Sequence, residues 1–91
     1  MPKISYKNSF KKDVALASRR GKNLNRLKEL IKLLAAGKSL EEKHRDHTLL
    51  GKYKGRRECH VEPNWLLIYK IESDEIILER LGSHADLFKQ K

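Results

Sequence analysis

Apolar residues recur every three or four positions in the second quarter of the chain, where they form one stripe: Leu24, Leu27, Leu30, Ile31 and Leu34. A stripe with this 3.6-residue period is typical of an amphipathic helix. The pattern predicts a helix from Asn23 to Ala36, and Gly37 follows as a C-terminal stop.

A shorter apolar stripe precedes it and consists of Phe10, Val14 and Ala17. These positions predict a first helix, with Asn8 or Ser9 as the N-cap and an end near Gly21. The short connection predicts that the two helices form an antiparallel hairpin. Their apolar faces then need another layer to cover them.

The second half of the chain has the pattern of strands. Three apolar runs, at residues 57–61, 65–71 and 75–81, are separated by Glu-Pro-Asn and Glu-Ser-Asp. Such short turns favour an antiparallel meander, because parallel strands need long crossovers. Alternation at residues 3–7 predicts one more strand, and residues 38–54 are expected to be an irregular connector.

Together these elements predict an α+β fold, with an N-terminal strand and a two-helix antiparallel hairpin packed on a small antiparallel sheet. With 91 residues the chain is expected to form a single domain over residues 1–91. One cysteine cannot form an internal disulfide, and no apolar run approaches the roughly 20 residues of a membrane span. The cytoplasm is the expected location, without a membrane partner.

Charge is distributed unevenly over the chain, whose net charge is +9. Residues 1–38 hold eleven Lys and Arg against Asp13 and Glu29, whereas residues 39–91 hold ten charges of each sign. An excess of this size favours a polyanionic partner, nucleic acid first and an acidic protein second. A solvated helical face is the alternative explanation.

Three histidines are candidates for proton transfer, because imidazole titrates near neutrality. In a meander, the end of the 57–61 strand, the start of the 65–71 strand and the end of the 75–81 strand meet at one edge. His60, Trp65 and His84 are therefore expected to cluster, with His47 in a nearby basic loop. A metal site is not expected, because Cys59 and His60 point to opposite faces of a strand and no repeated ligand spacing is present.

Basic and aromatic residues surround these histidines. Lys52, Lys54, Arg56 and Arg57 are candidate phosphate contacts, and Tyr53, Trp65 and Phe88 are candidate stacking surfaces. Trp65 and Phe88 could equally close the core at the sheet edge. Cations, stacking surfaces and histidines without a cofactor suit metal-independent RNA cleavage, in which a ribose 2′-hydroxyl attacks the adjacent phosphate.

Two longer stretches, RDHTLLGKYKGRRECHVEPNWLLIY and ERLGSHADLF, give the sequence a resemblance to the YafQ-like toxins of the RelE superfamily. These toxins are ribosome-dependent mRNA endonucleases of bacterial toxin–antitoxin pairs. The resemblance implies catalytic roles for His47, His60 and His84 and places Trp65 and Phe88 in the same site. The second stretch includes Arg80, which is expected either to brace the phosphate or to pair with a neighbouring strand.

One position departs from the family pattern, because Asn64 stands where an acidic residue is common. An amide cannot act as a general base, although it can donate a hydrogen bond to phosphate. The histidines are then expected to carry proton transfer, with His60 or His47 as base and His84 as acid. A toxin homologue that has lost its activity is an alternative.

The resemblance also implies partners. Binding in the ribosomal A site gives the basic helices a role in docking, for which the candidates are Lys11, Lys12, Lys28 and Lys32. A cognate antitoxin is expected, in a hetero-oligomeric complex that binds operator DNA through the antitoxin. The alternative from another class is a non-catalytic helix-turn-helix module that binds DNA.

Overall fold

The computed structural model describes residues 3–37, 44, 47–49 and 51–88, without the side chains of His47 and Lys52. The elements are β1 (Lys3–Tyr6), α1 (Asn8–Arg19), α2 (Leu24–Ala35), β2 (His47–Thr48), a 3₁₀ turn (Gly51–Tyr53), β3 (Arg57–Glu62), β4 (Trp65–Glu72), β5 (Glu75–Gly82) and α3 (His84–Leu87). The predicted α+β class, both long helices and the four predicted strands are confirmed.

The strands form one five-stranded sheet in the order β1-β5-β4-β3-β2. Strands β3, β4 and β5 form the predicted antiparallel meander. One pairing differs from the predicted antiparallel sheet, because β1 lies parallel to β5, with Lys3 opposite Glu75. The sheet is therefore mixed. Two helices and the meander separate β1 from β5 along the chain, which leaves ample length for a parallel pairing.

Helices α1 and α2 cover one face of the sheet. They contribute Phe10, Ala17, Leu27, Leu30 and Leu34 to a core that also includes Cys59, Val61, Trp65, Leu67, Tyr69, Ile76, Leu78 and Leu81. Burial of each large apolar side chain stabilises the fold by about 1.5–3 kcal/mol. The stripes read from the sequence are thus the faces that pack on the sheet.

A smaller apolar cluster lies on the other face of the sheet and consists of Tyr53, Leu66, Ile68 and Leu87, with Leu49 and Phe88 packed against it. This cluster holds α3 and the 3₁₀ turn. Neither element was predicted, and the connector expected to be irregular also contains β2, which pairs with β3 through His47 and Glu58.

The first helix begins in a way that the sequence did not indicate. Lys7, rather than Asn8 or Ser9, occupies the N-cap position, and it makes no side-chain cap. The second helix follows the prediction more closely, because Asn23 Oδ1 accepts a hydrogen bond from the Asn25 N–H. Gly37 has a φ of +70°, the left-handed conformation that glycine adopts freely at a helix end.

Along the second half of β5, from Glu79 onward, α1 takes the place of a paired strand. The β1 pairing ends at Leu78, whose carbonyl accepts from the Lys7 N–H at 3.0 Å. Beyond it, the Ser9 hydroxyl donates to the Glu79 carbonyl at 2.7 Å, and the Asp13 carboxylate accepts from the Leu81 N–H at 2.8 Å. Side chains of α1 therefore satisfy the backbone of this edge.

No helix in the described part of the chain is long and apolar enough to span a membrane.

Candidate functional site

His60 and His84 meet at the edge of the sheet where β3 and β5 end, as the meander predicted. Their ring centroids lie 6.0 Å apart. His84 is exposed on α3, while His60 is only 9% exposed at the end of β3. The arrangement therefore pairs one accessible imidazole with one largely buried imidazole.

Asn64, in the turn between β3 and β4, fixes the orientation of His84. Its Oδ1 atom accepts from the His84 backbone N–H at 3.2 Å and lies 3.0 Å from His84 Nδ1. Because the backbone N–H is always a donor, the amide atom facing it must be the oxygen, and Nδ1 must then donate a proton to the same oxygen. The Nε2 atom of His84 consequently remains available for proton transfer to or from a substrate.

His60 is fixed in a similar way by the backbone. Its Nδ1 atom lies 3.2 Å from the carbonyl of Pro63, so Nδ1 carries a proton. Its Nε2 atom lies 3.8 Å from Glu58 Oε2, a buried carboxylate. His44 Nδ1 donates to the His60 carbonyl at 2.7 Å, which ties the preceding segment to the site. The His47 side chain lies outside the described residues.

Phe88 is the aromatic residue that borders the histidine pair. It is partly exposed, its ring lies 6.0 Å from that of His84, and it contacts Tyr53 edge-on at 5.4 Å. The prediction that Trp65 joins this cluster is wrong, because Trp65 is 2% exposed and packs in the core beneath the helices. Alternation along β4 points Trp65 away from the face of Leu66 and His60. Its ring therefore packs in the core and offers no stacking surface to RNA in this structure.

Two of the predicted phosphate contacts are paired with carboxylates. Arg56 Nε lies 2.8 Å from Glu79 Oε1, and Lys7 Nζ lies 3.3 Å from the other oxygen of Glu79. Arg80 pairs with Asp13 of α1, not with a strand. The hydrogen bonds that Arg56 donates to Glu79 and Arg80 donates to Asp13 raise the pKa of each arginine above its ordinary value. Both guanidinium groups therefore stay charged and held in position.

The remaining predicted cations differ in exposure. Lys54 is exposed, Arg57 is partly exposed, and the Lys52 side chain lies outside the described residues. The candidate docking residues Lys11, Lys12, Lys28 and Lys32 are exposed, and none has an ion pair with another residue in the described ranges. These lysines are thus accessible to a polyanion.

Ion pairs from the turn between α1 and α2 and from the start of α2 hold α3 and the end of β3. Arg20 pairs with Asp86 of α3 at 2.9 Å, while Lys22 and Arg26 pair with Glu62 at 3.6 and 3.4 Å. Exposed pairs of this kind are individually weak. Because all three cations lie within residues 20–26, they nevertheless tie the strand end that precedes Asn64 to α3, which carries His84.

Helix α3 is stabilised by its own capping box. The Ser83 hydroxyl accepts from the Asp86 N–H, and the Asp86 carboxylate accepts from the Ser83 N–H. Gly82 permits the close approach, because an added Cβ would lie 2.9 Å from the Asp86 Cβ. The signal S-x-x-D was present in the sequence as Ser83 and Asp86 and could have predicted this helix.

Two cavities border the site without enclosing it. One of about 280 Å³ lies between α2 and the end of β3 and is lined in part by Arg26, His44 and His60. The other, of about 130 Å³, lies between α1 and α3 and includes Asn64 and Ser83 in its wall. His84 lines neither of these two, so its imidazole faces open surface, which suits a polymer better than a small molecule.

Among the described residues, no group of three or more metal-ligating side chains is assembled.

Comparison with known proteins gives a consistent result. A family model described as "Bacterial toxin of type II toxin-antitoxin system, YafQ" matches residues 2–89. The chain is 45% identical to the mRNA interferase toxin YafQ of Escherichia coli K12, over 93% of this chain and 94% of that protein.

Solved structures agree with the sequence match. The crystal structure of YafQ from E. coli BL21(DE3) superposes with a TM-score of 0.92 at 43% identity, covering 97% of this chain and 99% of that one. YafQ in the E. coli DinJ–YafQ complex superposes with a TM-score of 0.90 at 44% identity, with the same coverage. The chain therefore belongs to the YafQ family of bacterial toxins of type II toxin–antitoxin systems.

Proposed function

We propose that this protein is an mRNA endonuclease that cleaves translated message in the ribosomal A site and so inhibits translation. The name of its E. coli relative, mRNA interferase toxin, supports the substrate. The observation that carries the chemistry is the exposed His84 imidazole, which Asn64 orients so that its Nε2 atom is free. The centroid of this ring lies 6.0 Å from that of His60. Such a pair can take and give a proton at opposite sides of one phosphate.

The proposed reaction needs neither a metal nor a protein nucleophile. The 2′-hydroxyl oxygen attacks the adjacent phosphorus, the bond to the 5′-oxygen breaks, and a cyclic phosphate remains on the upstream fragment. His60 or His47 takes the 2′-hydroxyl proton, and His84 gives a proton to the leaving 5′-oxygen. Arg80 stabilises the charge that develops on the phosphate, since guanidinium groups match phosphate oxygens in geometry.

RNA contacts are proposed on the same side of the sheet. Phe88 offers a partly exposed ring beside His84 for a base to stack on. Lys54, which is exposed beside the 3₁₀ turn, supplies a phosphate contact around it, together with Lys52. Arg57 shares a face of β3 with the buried Cys59 and Val61, opposite to the face of His60, so the predicted phosphate contact of Arg57 beside the histidines is not retained. The exposed lysines of α1 and α2 hold the enzyme against ribosomal RNA, as the charge distribution of the sequence suggests.

The partner proposed for regulation is a cognate antitoxin. A complex with DinJ is known for the E. coli relative. A corresponding antitoxin would bind this toxin in a hetero-oligomeric complex and carry it to operator DNA. Action on ribosomes places the free toxin in the cytoplasm. The alternative of a helix-turn-helix module has less support, because Lys22, just before the second helix, and Arg26, in its first turn, are paired with Glu62.

The test is inducible expression in bacteria of the native chain and of His84→Ala, with growth and the 5′ ends of cellular messages recorded. The native chain should arrest growth and produce new cuts within translated frames. His84→Ala should lower the cleavage rate by about 10²-fold or more, the usual contribution of general acid catalysis. Ala85→Ser, a change at the adjacent exposed position of α3, is the matched control and should cut normally. Folded native protein that neither arrests growth nor cuts message would favour the inactive homologue.

A further inference from the structure

Asp13 of α1 accepts three hydrogen bonds from β5 close to the site. Its Oδ2 atom accepts from Arg80 Nε at 2.7 Å and from the Leu81 N–H at 2.8 Å. Its Oδ1 atom accepts from Arg80 Nη2 at 3.3 Å. The Asp13 side chain is 13% exposed and that of Arg80 is 33% exposed. The pair is therefore shielded on the carboxylate side and open on the guanidinium side.

The negative charge of Asp13 exceeds what the fold requires at this point. The Leu81 N–H needs only a neutral acceptor, and the Ser9 hydroxyl already supplies a neutral contact from α1 to the Glu79 carbonyl. Asp13 is also one of only two acidic residues in the strongly basic first 38. The Arg80 guanidinium, which donates to Asp13 from two of its nitrogens, accounts for a carboxylate at this position.

The pairing determines where Arg80 points. Arg80 lies opposite Ile68, on the same face of the sheet as Leu66 and His60, beside an irregularity at Glu79. Its raised pKa has Asp13 as the main cause and Tyr53 as a further one. The Tyr53 hydroxyl in turn donates to the Leu87 carbonyl of α3. The guanidinium is thus held between α1 and the group of residues that supports His84.

We propose that Asp13 is a positioning residue for RNA cleavage, which holds Arg80 in the orientation that stabilises the charged phosphate in the transition state. This inference rests on the proposed function. Arginine has five N–H donors, and Asp13 engages those on Nε and Nη2, so others remain for phosphate oxygens. A long side chain fixed in advance loses less conformational freedom when the charge develops, which favours the reaction rate more than the binding of message.

The test uses Asp13→Asn, which keeps the size of the side chain and an acceptor for the Leu81 N–H but removes the charge. Ser9→Ala is the matched control, because it removes another side-chain hydrogen bond between α1 and β5 without touching Arg80. Single-turnover cleavage on programmed ribosomes, affinity for those ribosomes and thermal stability are measured for each. Asp13→Asn should cut about tenfold more slowly with unchanged affinity, as expected for a weakened charged hydrogen bond. Ser9→Ala should keep the native rate.

A double-mutant cycle separates positioning from a structural role. In the Arg80→Ala background, Asp13→Asn should cause no further loss of rate, because the group that it positions is gone. An additive loss, or an equal loss in Ser9→Ala, would overturn the inference. Should Asp13→Asn not fold, Arg80→Lys applies the same test, since an ammonium cannot engage both carboxylate oxygens side by side. Arg80→Lys that cuts at the native rate would overturn it.

The two proposals fail in different ways. Native protein that leaves message intact on ribosomes overturns the proposed function, and this inference with it. Native protein that cuts, together with an Asp13→Asn variant that cuts at the same rate, overturns the inference alone.

Discussion

Asn64 orients His84 without adding charge to the site. The amide oxygen accepts both His84 donors, so it fixes the ring as well as a carboxylate would. It differs from a carboxylate in that it provides no negative charge to favour the doubly protonated imidazole. This residue therefore separates orientation from protonation, and the two effects can be tested independently.

Asn64→Asp should keep the orientation of His84 and change the pH dependence of cleavage. A carboxylate beside Nδ1 favours the imidazolium, so a His84 that acts as acid would stay competent to higher pH. The alkaline limb of the kcat/KM profile should then move upward, while the acidic limb stays in place. The profile is measured on programmed ribosomes for both proteins. An upward shift of the acidic limb instead would show that His84 acts as the base.

Single residues of the site were predictable only where chain topology placed them. His60 and His84 could be assigned to one edge, because a meander brings the strand ends of 57–61 and 75–81 to the start of the strand between them. Asn64 was singled out only by its departure from the family pattern. The burial of Trp65 could not be read from β4, since the choice of the face that helices cover depends on tertiary packing. The pairing of Asp13 with Arg80 joins residues far apart in the chain, and no local pattern records it.

At the scale of elements, α3 is the part on which the site depends most. It is only four residues long, so its own backbone hydrogen bonds cannot sustain it. The capping box of Ser83 and Asp86, the ion pair with Arg20 and the burial of Leu87 hold it against the sheet. A loss of any of these contacts should affect the exposed histidine that α3 carries.

Asp86→Asn should therefore lower both stability and cleavage. The Ser83 backbone N–H and the Arg20 guanidinium hold the pKa of the Asp86 carboxyl below its ordinary value of 3.8. A lowered pKa in the folded state stabilises the protein above that ordinary value, and this stabilisation is lost as pH falls below it. Urea unfolding should show a deficit of about 1 kcal/mol for the variant at neutral pH, which narrows below pH 4 or so.

The control for that variant is Asn23→Ala, which removes the N-cap hydrogen bond of α2. It should cost a similar unfolding free energy, about 1 kcal/mol, without slowing cleavage. If both variants cut equally slowly, the effect of Asp86→Asn would reflect general destabilisation. A constant deficit at all pH values would contradict the role assigned to the charged carboxylate.

Long elements were predictable because their apolar periods continue for several turns or residues. Helix α2 and strands β3 to β5 owe their bounds to such patterns and to glycine or short polar turns. The two-residue strand β2 is too short to show a period, and it exists through its pairing with β3. The parallel pairing of β1 depends equally on a partner that lies at the other end of the chain.

At the scale of the whole molecule, the charge distribution fits the proposed separation of ribosome docking from chemistry. Exposed lysines without partners among the described residues lie on α1 and α2, while Arg56 and Arg80 near the site form ion pairs with Glu79 and Asp13. Unpaired exposed cations attract polyanions at long range, whereas paired and partly buried ones act mainly at contact. Helix α1 contributes to both proposed roles, because Asp13 directly follows Lys11 and Lys12 in its sequence.

The docking role predicts that the double variants Lys11→Glu/Lys12→Glu and Lys28→Glu/Lys32→Glu weaken binding to ribosomes. Each should raise the KM for programmed ribosomes and reduce the salt dependence of binding, since fewer counterions are released. The matched control is Lys3→Glu/Lys70→Glu, which makes the same change in net charge elsewhere on the molecule. Cleavage rates at saturating ribosomes should stay native, because these lysines do not contact the histidine site. An equal rise in KM for the control would assign the effect to net charge, and an unchanged KM in both helix variants would exclude docking through these lysines.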